Sequence, residues 1–408
     1  MAKPKLALIP ATQGSKLYSV LPADGVGDFN FSRNTVATRI NKDGLIETVA
    51  VGKSRLNYPL IDGVVNGCPS HLLEPERLQK IQYSEDFSNA AWSKGNSTVT
   101  ANQAISPDGS QTADLLQLTS AGGNVYDGVG GSGDYAFSVF AKYVDAQFIR
   151  LRSTGSYAYF DIQNGSVGST INVSSTKIED YGNGWYRCTV VGNNTNSLAQ
   201  IFVSDTDGSN TGTGSVYLWG AQLEQGSYAT SYIPNYGTSA GITRSAETAN
   251  GAGDASTFND SEGVLMAEIS ALADDGTNRY ISLSDGSTSN RVNIFFDSSN
   301  DLRGYYNGLS GSISINIDTT INNKIAFKYK SGDSGFWVNG VEVATRADSL
   351  SLVGLDSISL DLGSGSDFYG NTKQIQYFDS ALNDSDLETI TSWTSFTDLA
   401  NGQTYSIK

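Results

Sequence analysis

Histidine is almost missing from this chain, and cysteine and methionine are scarce: 408 residues hold one His, two Cys and two Met. With His71 as the single imidazole, a Ser-His-Asp triad or Cys-His dyad has one candidate base, and that base lies in a turn-rich stretch. Cys68 stands three residues before it, too near for a nucleophile and its base, and Cys68, His71 and Glu74 lack a fourth ligand for zinc. Cys68 and Cys188 fall in different predicted domains, so no disulfide framework is visible and both read as reduced. Charged residues make up only 17% of the chain, and their balance is acidic, with a net charge of −16. That sign argues against a nucleic-acid partner, which needs a basic footprint, and against adhesion to an anionic bilayer. Long apolar runs are also absent. Leu6–Ile9 follows Lys3 and Lys5 but stops at Pro10, too short for a signal peptide or a membrane span. The chain is expected to be made in the cytoplasm and to need no signal to leave it.

What the chain has is glycine (44), tyrosine (21) and phenylalanine (16). Short strands joined by Gly, Asn, Asp and Ser turns give this balance, and helices do not. A chain of this length holds about two or three domains. Residues 1–80 read as an extended lead-in of short apolar pieces, with a hairpin over Val36–Ile40 and Leu45–Val49 around Asp43-Gly44. It is too turn-rich to bury a core of its own and is expected to pack on a neighbouring chain and carry oligomerisation. Residues 81–235 hold about eight short strands, with turns at Asp108-Gly109, Asn164-Gly165 and Asp207-Gly208, the spacing of a jelly-roll sandwich. Residues 236–256, rich in Gly, Thr, Ser and Ala, read as a linker. Residues 257–392 form a second sandwich with a type I′ turn at Asn339-Gly340, then a short helix over Ser385–Thr391 with Ser385 as N-cap. Residues 393–408 are a tail. The fold class is all-β, two consecutive antiparallel sandwiches after the lead-in.

The stretch Val216-Tyr-Leu-Trp-Gly-Ala-Gln-Leu-Glu-Gln-Gly-Ser-Tyr-Ala-Thr-Ser-Tyr-Ile-Pro234, closed by Thr243-Arg244, carries most information. Val216, Leu218 and Gly220 alternate with Tyr217, Trp219 and Ala221, as in a strand buried on both faces. This ending resembles a signature of virion proteins of tailed bacteriophages, where it closes a carbohydrate-binding-module-like jelly roll; here Asn235 replaces the usual Thr. Phe31-Ser-Arg-Asn-Thr-Val-Ala-Thr-Arg39, Cys68-Pro-Ser-His-Leu-Leu-Glu-Pro-Glu-Arg77 and Asp180-Tyr-Gly-Asn-Gly-Trp-Tyr-Arg187 resemble further segments of the same proteins. The pattern Lys324-Ile-Ala-Phe-Lys-Tyr329, Gly335-Phe-Trp-Val-Asn-Gly340 and Gln374–Leu382 resembles a concanavalin A-like or laminin G-like sandwich. The resemblance implies a tail or head fibre-like appendage on a phage particle, with residues 1–80 contacting other virion proteins, a trimeric assembly and a host-surface glycan as partner. The competing implication is a capsid-decoration or tail component that binds no sugar.

Catalysis finds no support in the residues. Glycoside hydrolysis needs two facing carboxylates; Glu179 and Asp180 are adjacent and point oppositely in a strand, and so do Asp356 and Asp361. No catalytic residue is assigned and no cofactor is required. Asp205, Asp207 and Asn210 have the spacing of the start of a calcium loop without its bidentate Glu, which makes them the candidates for a structural calcium. Sugar binding calls for aromatic faces beside planar polar groups. Trp92, at a turn edge, the Tyr157/Tyr159 pair on one strand face, and Tyr305 and Tyr306 in a Gly-flanked turn are the candidates, whereas Trp219 and Trp337 read as core.

Overall fold

A computed structural model describes residues 3–9, 14–128, 131–153, 155–194, 198–363, 365–394 and 402–403. Most of the expected tail, 393–408, lies outside the described residues. The first sandwich packs two six-stranded sheets. One runs, by strand order, Ser93–Gly95, Asn124–Gly128, Leu198–Ser204, Phe148–Ser153, Ser156–Asp161 and Ser166–Ile171; the other runs Ser97–Ala104, Ala113–Leu118, Ser215–Gln225, Gly133–Tyr143, Trp185–Asn194 and Ser175–Asp180. Neighbours in both are antiparallel. Ile149, Leu151, Ala158, Phe160, Ile201 and Val203 face Phe137, Val139, Val190 and Leu218 in a fully buried core. The buried thiol of Cys188 belongs to this core, while Cys68 is exposed, and the two are unbonded.

The signature strand departs from simple alternation. Val216 and Leu218 face the core, and so do Ala221 and Leu223, three residues on rather than two. The extra residue sits at Gly220, where pairing with Gly133–Tyr143 shifts register. Gly220 has φ +62, and a Cβ there would lie 2.9 Å from Phe140. This β-bulge turns Trp219 outward into a second apolar cluster with Phe140, Trp185, Tyr232 and Ile46 of the lead-in hairpin. It also aims Gln222 and Glu224 at the following loop. Gln222 Oε1 accepts from Ile233 N–H (2.7 Å), and Glu224 accepts from the Thr230 backbone (2.7 Å) and hydroxyl (2.6 Å). The signature thus folds back on itself.

The second sandwich is not closed by residues 257–392 alone. Its larger sheet centres on Gly370–Phe378, which pairs on one side with Glu262–Ala271. Its other side takes two lead-in strands in succession, Leu6–Leu8 and Ser70–Leu73. Leu6, Leu8, Leu17, Phe29, Phe31 and Leu73 enter the same core as Leu265, Ile281, Ile294, Phe327 and Tyr377. This corrects the expectation that the lead-in waits for a neighbouring chain to bury it: these six apolar side chains are buried within the same chain, while Val36, Val51, Ile61 and Val64 stay exposed. The stretch 236–256 is likewise anchored, since Ile242–Arg244 pairs with Arg77–Gln79 and Thr248–Asn250 with Phe29–Ser32. The helix is Asp384–Ser392, one residue longer at each end than expected. Its N-cap is Asn383, not Ser385: the extended backbone at Asn383 lets its side chain accept from Asp386 N–H at 2.9 Å. Leu387 and Ile390 pack on Val264, Met266 and Trp337.

Lead-in, signature and anchored crossing meet at a buried ionic knot. Glu247 accepts from Arg33 (2.6 Å), Arg55 Nε (2.9 Å) and the Glu74 backbone N–H (2.9 Å). Glu74 pairs with Arg55 (2.8 Å) and Arg244 (2.7 Å) and accepts from the Ser231 backbone (2.7 Å) and hydroxyl (2.6 Å). Burial pushes the Glu74 carboxyl up, but Arg244, Arg55 and the two Ser231 donors together hold it down at about 2. Its stabilisation is therefore complete above the ordinary value of 4.5 and is lost as the pH falls toward 2. Burial alone lowers His71 from 6.5 to about 3, and both its ring nitrogens lack a hydrogen-bond partner.

Two outcomes follow. Glu247→Gln removes one charge from under two guanidiniums and should destabilise the protein by about 3–5 kcal/mol in urea melts; a loss below about 1 kcal/mol would show that the knot is dispensable. The unfolded chain protonates His71 below about pH 6.5 while the folded chain resists until about pH 3. Relative to His71→Leu, the native protein should lose up to ~1.4 kcal/mol per pH unit across that window. Parallel stability curves for the two proteins would contradict this account of His71.

Candidate functional site

Alternation along the first six-stranded sheet sends one set of side chains to the core and the other outward. In Phe148–Ser153, Ile149 and Leu151 are core, so Arg150 and Arg152 face out. Register places Arg150 between Tyr159 and Phe202, and Arg152 between Tyr157 and Gln200. The next strand continues the row, with Asn124 opposite Phe202 and Tyr126 opposite Gln200. The outward face therefore carries Tyr126, Tyr157, Tyr159 and Phe202 interleaved with two guanidiniums and two amides.

These groups are ordered by one another. The Arg150 guanidinium lies over the Phe202 ring at 3.8 Å and over Tyr157 at 4.9 Å. Tyr157 and Tyr159 meet edge to face at 6.2 Å. Gln200 donates to Asn124 (2.9 Å), and the Tyr159 hydroxyl donates to Asn210 (2.9 Å) in the loop that crosses the end of the sheet. Tyr159, Phe202 and Arg150 form a buried floor, while Tyr157, Arg152 and Asn124 are half-buried and Tyr126 is exposed. Burial lowers the Arg150 pKa, with Tyr159 and Tyr157 opposing that shift and Arg152 adding to it. Chemically this is a shelf of ring faces with planar donors and acceptors between them, suited to the C–H faces and hydroxyls of sugar rings.

The sequence candidates separate accordingly. Tyr157 and Tyr159 do share this face. Trp92 does not: it is buried, stacks on Phe87 at 4.8 Å, and its indole N–H is used by the Tyr83 carbonyl (2.8 Å). Tyr306 is fully buried in the second sandwich beside Phe327, because strand alternation turns it inward. Tyr305 faces outward, half-buried, under the Arg291 guanidinium at 5.0 Å, on a different sandwich from the Tyr157 row. Reading Tyr305 and Tyr306 as one exposed aromatic turn is thus corrected: both lie in the strand Asp301–Tyr306. Of the calcium candidates, Asp207 holds the Ser169 backbone and hydroxyl (2.8 Å each), Asp205 accepts from Thr213 N–H (3.3 Å), and Asn210 serves Tyr159. Each has its own protein partner, and these bonds account for the loop by the protein's own groups. Sequence reasoning missed Arg150, Arg152, Gln200, Phe202, Asn124 and Tyr126. The signal was present in Phe148-Ile-Arg-Leu-Arg152, whose alternation puts both arginines on the side opposite the core.

A cleft of about 330 Å³ opens elsewhere, between the lead-in hairpin, the signature loop and the second sandwich. Its charged walls are largely satisfied internally: Arg39 pairs with Glu47, Lys177 with Glu179, and Glu74 belongs to the ionic knot. It reads as a seam between units, and the aromatic face is the better site.

No protein-family model matches this chain, and no curated protein matches it in sequence. Among solved structures it is similar to the CBM40 of the Ruminococcus gnavus IT-sialidase bound to α2,3-sialyllactose, at 14% identity and TM-score 0.29, covering 33% of this chain and 84% of that one. It is similar to domain 4 of AbnA, a GH43 arabinanase from Geobacillus stearothermophilus in complex with arabinotriose, at 14% identity and TM-score 0.29, covering 36% and 73%. It is also similar to the CBM22 tandem of Paenibacillus barcinonensis Xyn10C, at 10% identity and TM-score 0.25, covering 76% and 100%. Likenesses this distant carry no argument about function, and the aromatic face is read on its own residues.

Proposed function

We propose that the protein is a non-catalytic glycan-binding protein and that the outward face of the first sandwich is its binding surface. The observation that carries this is the row of Tyr126, Tyr157, Arg152 and Asn124 above the floor of Arg150, Phe202, Tyr159 and Gln200. Aromatic faces stack on sugar rings while amides and guanidiniums take hydroxyls, and a rigid sheet fixes their spacing. The finer reading is an appendage of a tailed-phage particle that displays several copies, a trimer by preference, and meets a host-surface glycan. It is supported by the resemblance of Val216–Pro234 to the phage signature. Display in many copies makes weak single sites effective. A structural calcium at Asp205, Asp207 and Asn210 is part of this proposal, tested by the change in melting temperature on adding chelator.

The face is tested on an array of bacterial surface polysaccharides. Tyr157→Ala should weaken binding by about tenfold or more, since an aromatic face on a flat ligand contributes roughly 1–3 kcal/mol. Tyr305→Ala on the second sandwich should leave it unchanged. If Tyr157→Ala combined with Tyr126→Ala kept full binding and an unchanged melting temperature, the face would not be the site. The particle reading has its own measurement: sedimentation of the full chain should give a trimer, and a monomer at micromolar concentration would count against display by self-assembly.

A further inference from the structure

Arg150 is the group on this face that a neutral sugar does not explain. Its residue is 7% exposed, and its Nε has no hydrogen-bond partner. Among the described residues no carboxylate stands at ion-pair distance from it. The ionisable groups that face it are Tyr159, Tyr157 and Arg152. Arg187, Arg244 and Arg279 share an unpartnered Nε, so what sets Arg150 apart is the charge of its neighbours. Arg33 and Arg55 pair with Glu247, Arg244 pairs with Glu74, and Arg279 pairs with Asp275. Arg187 has Tyr181 first, then Glu179 and Glu224, among the groups that act on it. Arg150 has tyrosines and a second arginine among the groups that act on it, with no carboxylate beside them.

Charge makes the contrast sharper. The chain has 42 acidic residues against 26 basic ones, yet its aromatic face brings two guanidiniums together. Asp161, at the far end of the Tyr157–Tyr159 row, is consumed by its own turn: it accepts from Asn164 N–H (2.9 Å), the Asn164 amide (2.9 Å), Gln163 N–H (3.1 Å) and Gln147 (2.7 Å). A desolvated guanidinium without a counter-ion is unfavourable, and ring stacking offsets only part of that. What it lacks is a planar anion, and its fork geometry suits a carboxylate.

We infer that the glycan is acidic: the face takes a carboxylate-bearing sugar, whose carboxylate sits against Arg150 and Arg152 while its ring lies on Tyr157. This rests on the face being the glycan site. Long-range repulsion from a protein of charge −16 opposes such a ligand, so a polyanion is retained by local fit and not by ion exchange.

The test is affinity electrophoresis of the full chain in gels containing polygalacturonate, hyaluronan or polysialic acid, each beside its carboxyl-reduced form, with dextran and dextran sulfate as further arms. At least one carboxylated polymer should retard the protein, and its reduced form should not. Arg152→Gln, at a half-buried position, should reduce binding at least tenfold with its melting temperature preserved. Arg150→Gln should do the same, and Arg150→Lys should not restore it, because the charge returns without the fork. If Arg150→Gln fails to fold, Arg152→Gln decides. Equal retardation by carboxyl-reduced polymers or by dextran would overturn the acidic-sugar inference and leave the glycan face standing. Retardation by dextran sulfate alone would overturn it in favour of sulfated sugars. Retention by no polymer at all would remove both readings.

Discussion

The arrangement of this molecule depends on two carboxylates held out of water. Glu74 and Glu247 are buried together with Arg33, Arg55 and Arg244; three of these groups come from separate points of the lead-in, and Arg244 and Glu247 come from the crossing segment. Neither carboxylate is tolerable in such a place without its guanidiniums, and the guanidiniums are equally dependent on the carboxylates. A knot of this kind adds less net stability than its contacts suggest, since an apolar replacement of the whole set can serve as well. Its effect lies in what it forbids. Any packing of lead-in, signature loop and crossing segment that separates these residues leaves a bare charge in the interior.

The aromatic face lies on the sheet opposite this junction. Gly220 gives the signature strand its bulge, and the bulge lets one strand serve the jelly-roll core through Leu218 and Ala221 while Trp219 and Glu224 serve the junction. With one sheet of the sandwich clamped to the rest of the protein in this way, the opposite sheet is left with its outer side for other purposes. The aromatic row lies on that sheet, away from the seam.

Much of the fold was legible because its signals are local. Asp43-Gly44 and Asn339-Gly340 mark hairpins, and alternation marks the strands that flank them. What was not legible is non-local. Nothing near Leu6 or Ser70 says that both will pair with Gly370–Phe378, and a Gly- and Ser-rich stretch such as 236–256 reads as loose because the residue that anchors it, Glu247, shows its importance only beside Arg33 and Arg55. The site was half legible for the same reason. Tyr157 and Tyr159 share a face by their own spacing, but Arg150 and Phe202 join them through strand register. Trp92 and Tyr306 were misread because an aromatic beside turn residues looks exposed until burial is known.

The pairing of Leu6–Leu8 with Gly370–Phe378 has a meaning for the chain as it is being made. More than 350 residues separate the partners, and at a ribosomal pace of about 5–20 residues per second the earlier strand waits on the order of tens of seconds for the later one. The first sandwich has all its strands in that interval, but the second does not. A nascent chain that has not reached residue 370 therefore carries an apolar strand edge with no partner, the state most open to capture by a second nascent copy.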